Sequence, residues 1–339
     1  MALFEKRFPV IIAEAGVNHN GSLDMALKLV DAASAAKADY IKFQTFQTEK
    51  LVAESAPLAS YQRKNCQSSS QFEMLKQLEL TDDEFHEIKK RCDEKGIGFL
   101  STPFDERSLK FLEEFDMDFI KIASGEITNL PFLREVAKTG KPVIISTGMA
   151  TPKEIKDTLK VFESASYPKD KITLLHCTTE YPAPLSDVNL LAMVSIKELF
   201  GTSVGYSDHT NGIEIALAAT ALGARVIEKH FTLEKKLPGP DHKASLSPSE
   251  LMKMVEGIHN VAIALGVKEK KVSSSEKANS KVARKSIVAS KPIKEGDIFT
   301  ADNITVKRPG TGISPMRWDE VIGRKALRNY CENELIDML

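Results

Sequence analysis

Across its first 270 or so residues this chain repeats one pattern: a short apolar run, a turn, then an amphipathic helical stretch. The runs are Pro9 to Ala15, Tyr40 to Phe46, Ile97 to Phe104, Phe119 to Ala123, Pro142 to Ser146, Ile172 to Cys177, Ser203 to Tyr206 and Arg225 to Phe231. Helical periodicity is found over Leu23 to Ala36, Asp82 to Glu94, Glu106 to Glu114, Leu130 to Lys138, Pro152 to Phe162, Asn189 to Phe200, Ile213 to Leu222 and Pro248 to Leu265. The runs are near-continuously apolar, as strands buried on both faces of a parallel sheet are. Thr81-Asp82-Asp83-Glu84 and Ser247-Pro248-Ser249-Glu250 read as N-caps with acids in the first turn. Eight such units in about 265 residues match the count and length of a closed (β/α)8 barrel. An open doubly wound sheet is the alternative, but no Gly-x-Gly-x-x-Gly follows the first strand.

The barrel is therefore expected over residues 1–267. Residues 268–281 (KEKKVSSSEKANSK) are polar, rich in Ser and Lys and without an apolar period, and read as a linker. Residues 282–339 change character. Ser286 to Ala289, Ile298-Phe299 and Ile304 to Val306 read as short strands between polar turns, predicting a small, mainly β domain that leans on another surface. The net charge of −1 offers no field for nucleic acid or an anionic membrane, so an anionic substrate needs local cations. No apolar run approaches the ~18 residues of a membrane span, and Met1 to Phe8 lacks the order of a signal peptide. Cys66, Cys92, Cys177 and Cys331 lie far apart without C-x-x-C spacing, which argues against a disulfide framework or thiolate zinc site. A cytoplasmic protein is expected.

In such a barrel the carboxyl ends of the strands face the site. Those ends carry Glu14; Lys42 and Gln44; Ser101 and Thr102; Lys121, Ser124 and Glu126; Ser146 and Thr147; His176 and Thr178; Ser207, Asp208 and His209; Glu228 and His230. His209 and His230 stand one β-α unit apart, so both imidazoles can converge on one divalent cation; two unrelated polar strand ends are the plainer alternative. A charged residue inside an apolar strand, such as Lys42 or Lys121, is costly unless paired. A structural pair of Lys42 with Glu14 is one explanation. Two lysines, several hydroxyls and two histidines on one rim look more like a site for phosphate and carboxylate beside a metal. Pro238-Gly239-Pro240 would bend the loop after the last strand and aim Asp241 inward, although such turns are often inert. His19 suits substrate contact or turn chemistry alike, and Cys177 reads as a core thiol.

Several segments in order resemble the bacterial sialic acid synthase family: Ile11 to Gly21, Lys42-Phe43-Gln44-Thr45-Phe46, Ser101-Thr102-Pro103-Phe104, Lys121 to Glu126, Ser146-Thr147-Gly148-Met149, Tyr206 to Thr210 and Pro238-Gly239-Pro240-Asp241. Val282 to Ser286 and Lys307 to Gly310 are similar to the family's antifreeze-like (SAF) domain. The resemblance implies condensation of phosphoenolpyruvate with an N-acetylmannosamine-type sugar, giving a nine-carbon 2-keto acid and phosphate, with Mn2+ or Mg2+. It implies His209 and His230 as metal ligands. It places Lys42, Lys121, Ser124, Ser146 and Ser207 around phosphoenolpyruvate, with Thr102 and Thr179 also in the substrate set. Glu14, Gln44, Glu126, Tyr181 and Asp241 would meet the sugar or a reacting water, with Glu126, then Glu14, as the carboxylate handling that water. It further implies a domain-swapped homodimer in which Arg308 reaches the partner's site.

Two departures stand out: Thr179 replaces an Asn of some members, and Arg284 stands where some carry an aromatic residue. Within the family, N-acetylneuraminate synthase is the first reading. A legionaminic acid synthase, which takes a 6-deoxy diacetamido sugar, follows closely on Gly125 to Pro131 and Tyr206 to Glu214. Other readings are a synthase of seven- or eight-carbon acids using Cys177 as a metal ligand, and a non-catalytic carbohydrate-binding protein. The last would have no reason to keep buried charges that cost stability.

Overall fold

The computed structural model describes residues 8–59, 62–63 and 68–337. It divides into two compact units between Gly266 and Val267. In the first, eight parallel strands form one sheet: β1 Val10–Gly16, β2 Tyr40–Thr45, β3 Gly98–Pro103, β4 Ile120–Ile122, β5 Val143–Ser146, β6 Ile172–His176, β7 Ser203–Asp208 and β8 Val226–His230. Ladders run from β3 through β2, β1, β8, β7, β6 and β5 to β4, and the pairing of β1 with β8 curls the sheet into a ring. At the remaining seam β3 and β4 lie side by side without a ladder, and the Ser101 N–H donates to Met117 Sδ at 3.3 Å. The fold is a TIM-type barrel with helices outside it.

Those helices keep their apolar faces on the strands, and capping is explicit in the sequence. Thr81 with Glu84, Thr151 with Glu154 and Ser247 with Glu250 each form a reciprocal capping box, leaving fewer orphan N–H groups at the helix start. The helices Leu130–Lys138 and Pro248–Leu265 have the ends that the periodicity predicts, and the other expected helices agree to within a turn. Among the described elements between β2 and β3, the helices Thr48–Leu51 and Gln71–Leu78 have no counterpart in the sequence pattern. Both are too short to show a clear period.

Outside the ring, Asp208 and Lys229 occupy the faces opposite Ser207 and Glu228, in register with each other. Their charges pair at 2.8 Å, both wholly buried. Asp208 Oδ1 also accepts from Thr210 N and Oγ1, and Lys229 Nζ donates to Thr210 O at 2.5 Å, which ties down the turn carrying His209. Lys229→Met strands a buried carboxylate, so urea unfolding is expected to show a loss of about 3–5 kcal/mol. A loss below about 1 kcal/mol would mean that the Thr210 bonds alone satisfy Asp208.

The second unit has its own core, including Ile287, Ile293, Phe299, Ile304 and Tyr330. β9 (Ser286–Ala289) and β10 (Ile304–Lys307) pair antiparallel. Ile298-Phe299, expected as a strand, makes only a single bridge from Ile298 to Lys325, while Phe299 packs in the core. The segment expected as a linker is helical over Ser274–Ala283. It buries no side chain; the Ser273–Glu276 capping box and helix-favouring Ala, Lys and Glu hold it, so no apolar period exists to reveal it. Cys92 and Cys177 are buried free thiols and Cys331 is exposed. Cys66, one of the four cysteines whose spacing argues against a disulfide framework, and residues 1–7, most of the segment that lacks signal-peptide order, lie outside the described residues. Among the described residues no helix is long and apolar enough to cross a membrane.

Candidate active site

Strand register brings the rim residues together. Glu14 on β1 is in register with Lys42 on β2 and with His230 on β8, and Ser207 on β7 is in register with Glu228 on β8. Side chains alternate along a strand, so Lys42 and Gln44 share one face, as do Glu228 and His230. All of them line a cavity of about 370 Å3 that also takes in Thr102, Lys121, Ser124, Glu126, Ser146, Thr179, Tyr181, His209 and Asp241.

Four buried charges form its floor. Lys42 Nζ lies 2.6 Å from Glu14 Oε2, donates to Thr102 Oγ1 at 2.9 Å, and stands 3.6 Å from Glu228 Oε2. The structural pair expected for Lys42 therefore exists. Lys121 differs: its Nζ donates to Ser146 Oγ at 2.7 Å, while its nearest carboxylate oxygen, Glu228 Oε1, is 3.6 Å away. Ser207 Oγ donates to the same oxygen at 2.9 Å. Burial pushes Glu14 up to about 7 against the pull of Lys42, with the Glu228 charge adding to the rise. Burial would raise Glu228 too, but Lys121 and Lys42 reverse it and hold that carboxyl at about 2. Burial lowers Lys121, whereas for Lys42 the two carboxylates outweigh burial and raise it. A second anion beside Lys121 would relieve the deficit that burial creates there.

In the same cavity, the His209 and His230 rings lie 5.7 Å apart between centroids, and the Tyr181 ring lies tilted 4.2 Å from that of His209. His209 Nδ1 is 2.6 Å from the Thr178 carbonyl, which places the proton on Nδ1 and leaves Nε2 as the lone-pair nitrogen, with Ser207 Oγ 3.3 Å from it. His230 Nδ1 is buried without a hydrogen-bond partner, and Asp241 Oδ2 stands 3.9 Å from it. Burial lowers His209 to about 4 and His230 well below its ordinary value, so both rings are neutral donors. Two neutral imidazoles, one with an orphaned nitrogen, fit a divalent cation. Among the described residues no three His, Cys, Asp or Glu side chains form a metal-binding group, so these rings would have to be completed by water or substrate oxygens.

Around this centre, Glu126 sits in the short turn Ser124–Glu126, raised by burial, and accepts from Asn129 Nδ2 at 2.6 Å. Gln44 Nε2 reaches Glu14 Oε1 at 3.3 Å. Ser124 Oγ accepts the Gly148 N–H at 3.0 Å and shares a hydrogen bond with Cys177 Sγ. Burial raises the Cys177 thiol, which disfavours the thiolate that a cysteine ligand requires. Thr179 Oγ1 is buried with no partner, so its hydroxyl is open to a ligand. Asp241 is buried and pushed up to about 7 by burial. Its loop is clipped to the first one: Asn20 Nδ2 donates to Pro238 O, and Asn20 Oδ1 is 3.1 Å from His242 Nε2. The inward aim expected for Asp241 thus holds.

Other strand ends do not join the cavity. Ser101 bonds to Thr45, Thr147 to the Leu175 carbonyl, His176 to the Val188 carbonyl, and Asp208 faces Lys229. His19 Nδ1 accepts the Gly21 N–H at 3.1 Å, a turn contact, while its Nε2 is buried without a hydrogen-bond partner. Arg308 follows β10 in the second unit, where its Nε donates to Ala283 O at 3.0 Å. Glu228 stands among the polar strand ends of the sequence without an assigned role, and its position two residues before His230 is the available signal.

The NeuB family profile matches residues 29–270, and a SAF domain profile matches residues 284–337. The chain belongs to the NeuB family. It is 51% identical over 96% of its length to N,N'-diacetyllegionaminic acid synthase of Campylobacter jejuni, covering 98% of that protein. It is 44% identical over 94% of its length to the N,N'-diacetyllegionaminic acid synthase of Legionella pneumophila, covering 90% of it. The crystal structure of N-acetylneuraminic acid (sialic acid) synthetase from Leptospira borgpetersenii in complex with citrate superposes with a TM-score of 0.72 at 37% identity, covering 80% of this chain and 90% of that one. Within the NeuB family the similarity therefore favours the legionaminic branch over the N-acetylneuraminate branch that the sequence reading places first.

Proposed function

We propose that this chain condenses phosphoenolpyruvate with 2,4-diacetamido-2,4,6-trideoxymannose in its open-chain form, giving N,N'-diacetyllegionaminic acid and phosphate. One observation carries the reading: the buried Lys42–Glu14–Glu228–Lys121 cluster shares one cavity with two neutral imidazoles. N-acetylmannosamine, the alternative sugar, has the weaker support, because the two legionaminic acid synthases are 51% and 44% identical to this chain.

In this reading Lys42 and Lys121, with Ser124, Ser146, Ser207 and Thr102, hold the phosphate and carboxylate of phosphoenolpyruvate. Fixed cations in a dry cavity stabilise anionic charge without reorganising. C3 of phosphoenolpyruvate forms a C–C bond to the sugar aldehyde carbon, and the aldehyde oxygen takes up a proton. Water adds to C2, and the C2–O bond to phosphate then breaks, releasing inorganic phosphate and leaving the 2-keto group. Glu126 orients and deprotonates that water, since a carboxyl raised by burial is a stronger base than an exposed one. Glu14, held near neutrality, is suited to passing the proton to the aldehyde oxygen. Gln44, Thr179, Tyr181 and Asp241 orient the sugar. His209 and His230 would hold Mn2+ or Mg2+, which when bound supplies Lewis-acid polarisation of the aldehyde. Arg308 enters the cavity from a second copy of the chain.

The test is phosphate release from phosphoenolpyruvate by chelator-treated protein, with Mn2+ restored and either sugar present. Release that requires both sugar and metal, faster with the diacetamido sugar, is the expected outcome. No release from folded, Mn2+-supplied protein with either sugar would remove the synthase reading.

A further inference from the structure

The cavity has two unlike sides. Its ionisable groups lie at or just beyond the strand ends. The β2–β3 connection adds an apolar wall to the same lining: Phe46, Leu51 and Val52 after β2, then Met74, Leu75 and Leu78 on the Gln71–Leu78 helix. This wall belongs to a cluster separate from the barrel core, in which Phe46, Met74 and Leu78 are buried with Val17 and Leu58, and Leu51 and Leu75 pack partly buried against them. Among the described residues, Gln62 and Gln71 are the polar side chains that this connection adds to the lining. None of the chemistry assigned above uses the wall. Large apolar side chains lining a catalytic cavity mark the place of an apolar part of the ligand.

We infer that Phe46, Met74, Leu75 and Leu78 form an apolar subsite for the distal, C6-methyl end of the sugar and so select a 6-deoxy substrate. The inference rests on the synthase reading and deepens it. The imidazoles next to which the aldehyde reacts stand at the carboxyl ends of β7 and β8, and the wall rises beyond β2, with β1 between them in the sheet. In the proposed pose the chain of sugar carbons runs from the aldehyde at the histidines toward the wall. N-acetylmannosamine would bring a C6 hydroxyl to a surface that, among the described residues, offers it few partners, whereas the trideoxy sugar brings a methyl group. Burying the hydroxyl strands a polar group; burying the methyl removes apolar surface from water. A hydrophobic pocket discriminates against an added hydroxyl by about 10- to 100-fold.

The experiment compares 2,4-diacetamido-2,4,6-trideoxymannose with its 6-hydroxy counterpart, which differs at that atom alone. Wild-type kcat/KM, read by phosphate release with Mn2+ present, is expected to favour the 6-deoxy sugar by about 10- to 100-fold. Met74→Gln keeps the volume and adds a hydrogen-bonding group, and is expected to cut that preference to about threefold or less while the KM for phosphoenolpyruvate changes little. If Met74→Gln fails to fold, the partly exposed Leu75→Gln serves the same comparison. Brisk release with equal preference in the wild type, or an unchanged preference in the folded variants, would overturn the subsite and leave the synthase reading standing. No release with either sugar would remove both.

Discussion

Lys42→Met is expected to lower kcat/KM for phosphoenolpyruvate by roughly 10^3-fold and to destabilise the barrel by about 3–5 kcal/mol. Both effects come from one atom. Lys42 Nζ neutralises Glu14 at 2.6 Å and stands 3.6 Å from Glu228, so its removal leaves two buried carboxylates with Lys121 as their remaining cation. The double variant Lys42→Met/Glu14→Gln separates the roles. It removes one charge of each sign, so urea unfolding should recover most of the lost stability. Turnover should stay lost, because the cation that meets phosphate and the carboxyl that passes the proton are both absent. Recovery of both stability and turnover in the double variant would show Lys42 to be a structural counter-ion of Glu14 and nothing more.

His230→Leu should have an effect of similar size on turnover, roughly 10^3-fold or more, but the opposite relation to stability. The His230 Nδ1 atom is buried without a partner, and such an atom costs about 1–3 kcal/mol in the ligand-free fold. A leucine of comparable volume carries no such atom. The chelated variant is therefore expected to melt at or above the temperature of the chelated wild type. Adding Mn2+ should raise the wild-type Tm, since a ligand bound only by the folded state stabilises it, and should leave the variant unmoved. Equal Mn2+-induced shifts in the two proteins would take His230 out of the metal site. Stability and activity move in opposite directions here, as expected where a site is retained for function at a cost to the fold.

The apolar wall and the charged floor also differ in how far each can be read from the chain. Lys42 and Lys121 are conspicuous because each interrupts a buried strand, where a charge without a purpose is expensive. Met74 and Leu78 are not, since an apolar pair four residues apart is the ordinary sign of helix packing and says nothing about what lies on its far side. Thr179 stands out in the sequence as a departure, but its orphaned hydroxyl is visible only with its surroundings in place. Cys177 is eligible as a ligand from its place beside His176; the fold commits it to Ser124 instead.

The amino-acid order by itself determined the eight-fold βα repeat, the helix starts and the set of polar residues at the strand ends, because each is a local property: burial on both faces, a cap three residues from its acid, a charge within an apolar run. Tertiary structure alone decided the partners. Glu14 lies beside both Lys42 and His230 because β1 pairs with β2 on one side and β8 on the other, in a register that no local pattern specifies. It likewise decided that Glu228, not the more conspicuous Asp208, balances the two lysines. Alternation along β7 and β8 sends Asp208 and Lys229 outward and Ser207 and Glu228 inward, and ring closure turns that one-residue difference into the difference between a structural pair and the floor of the site.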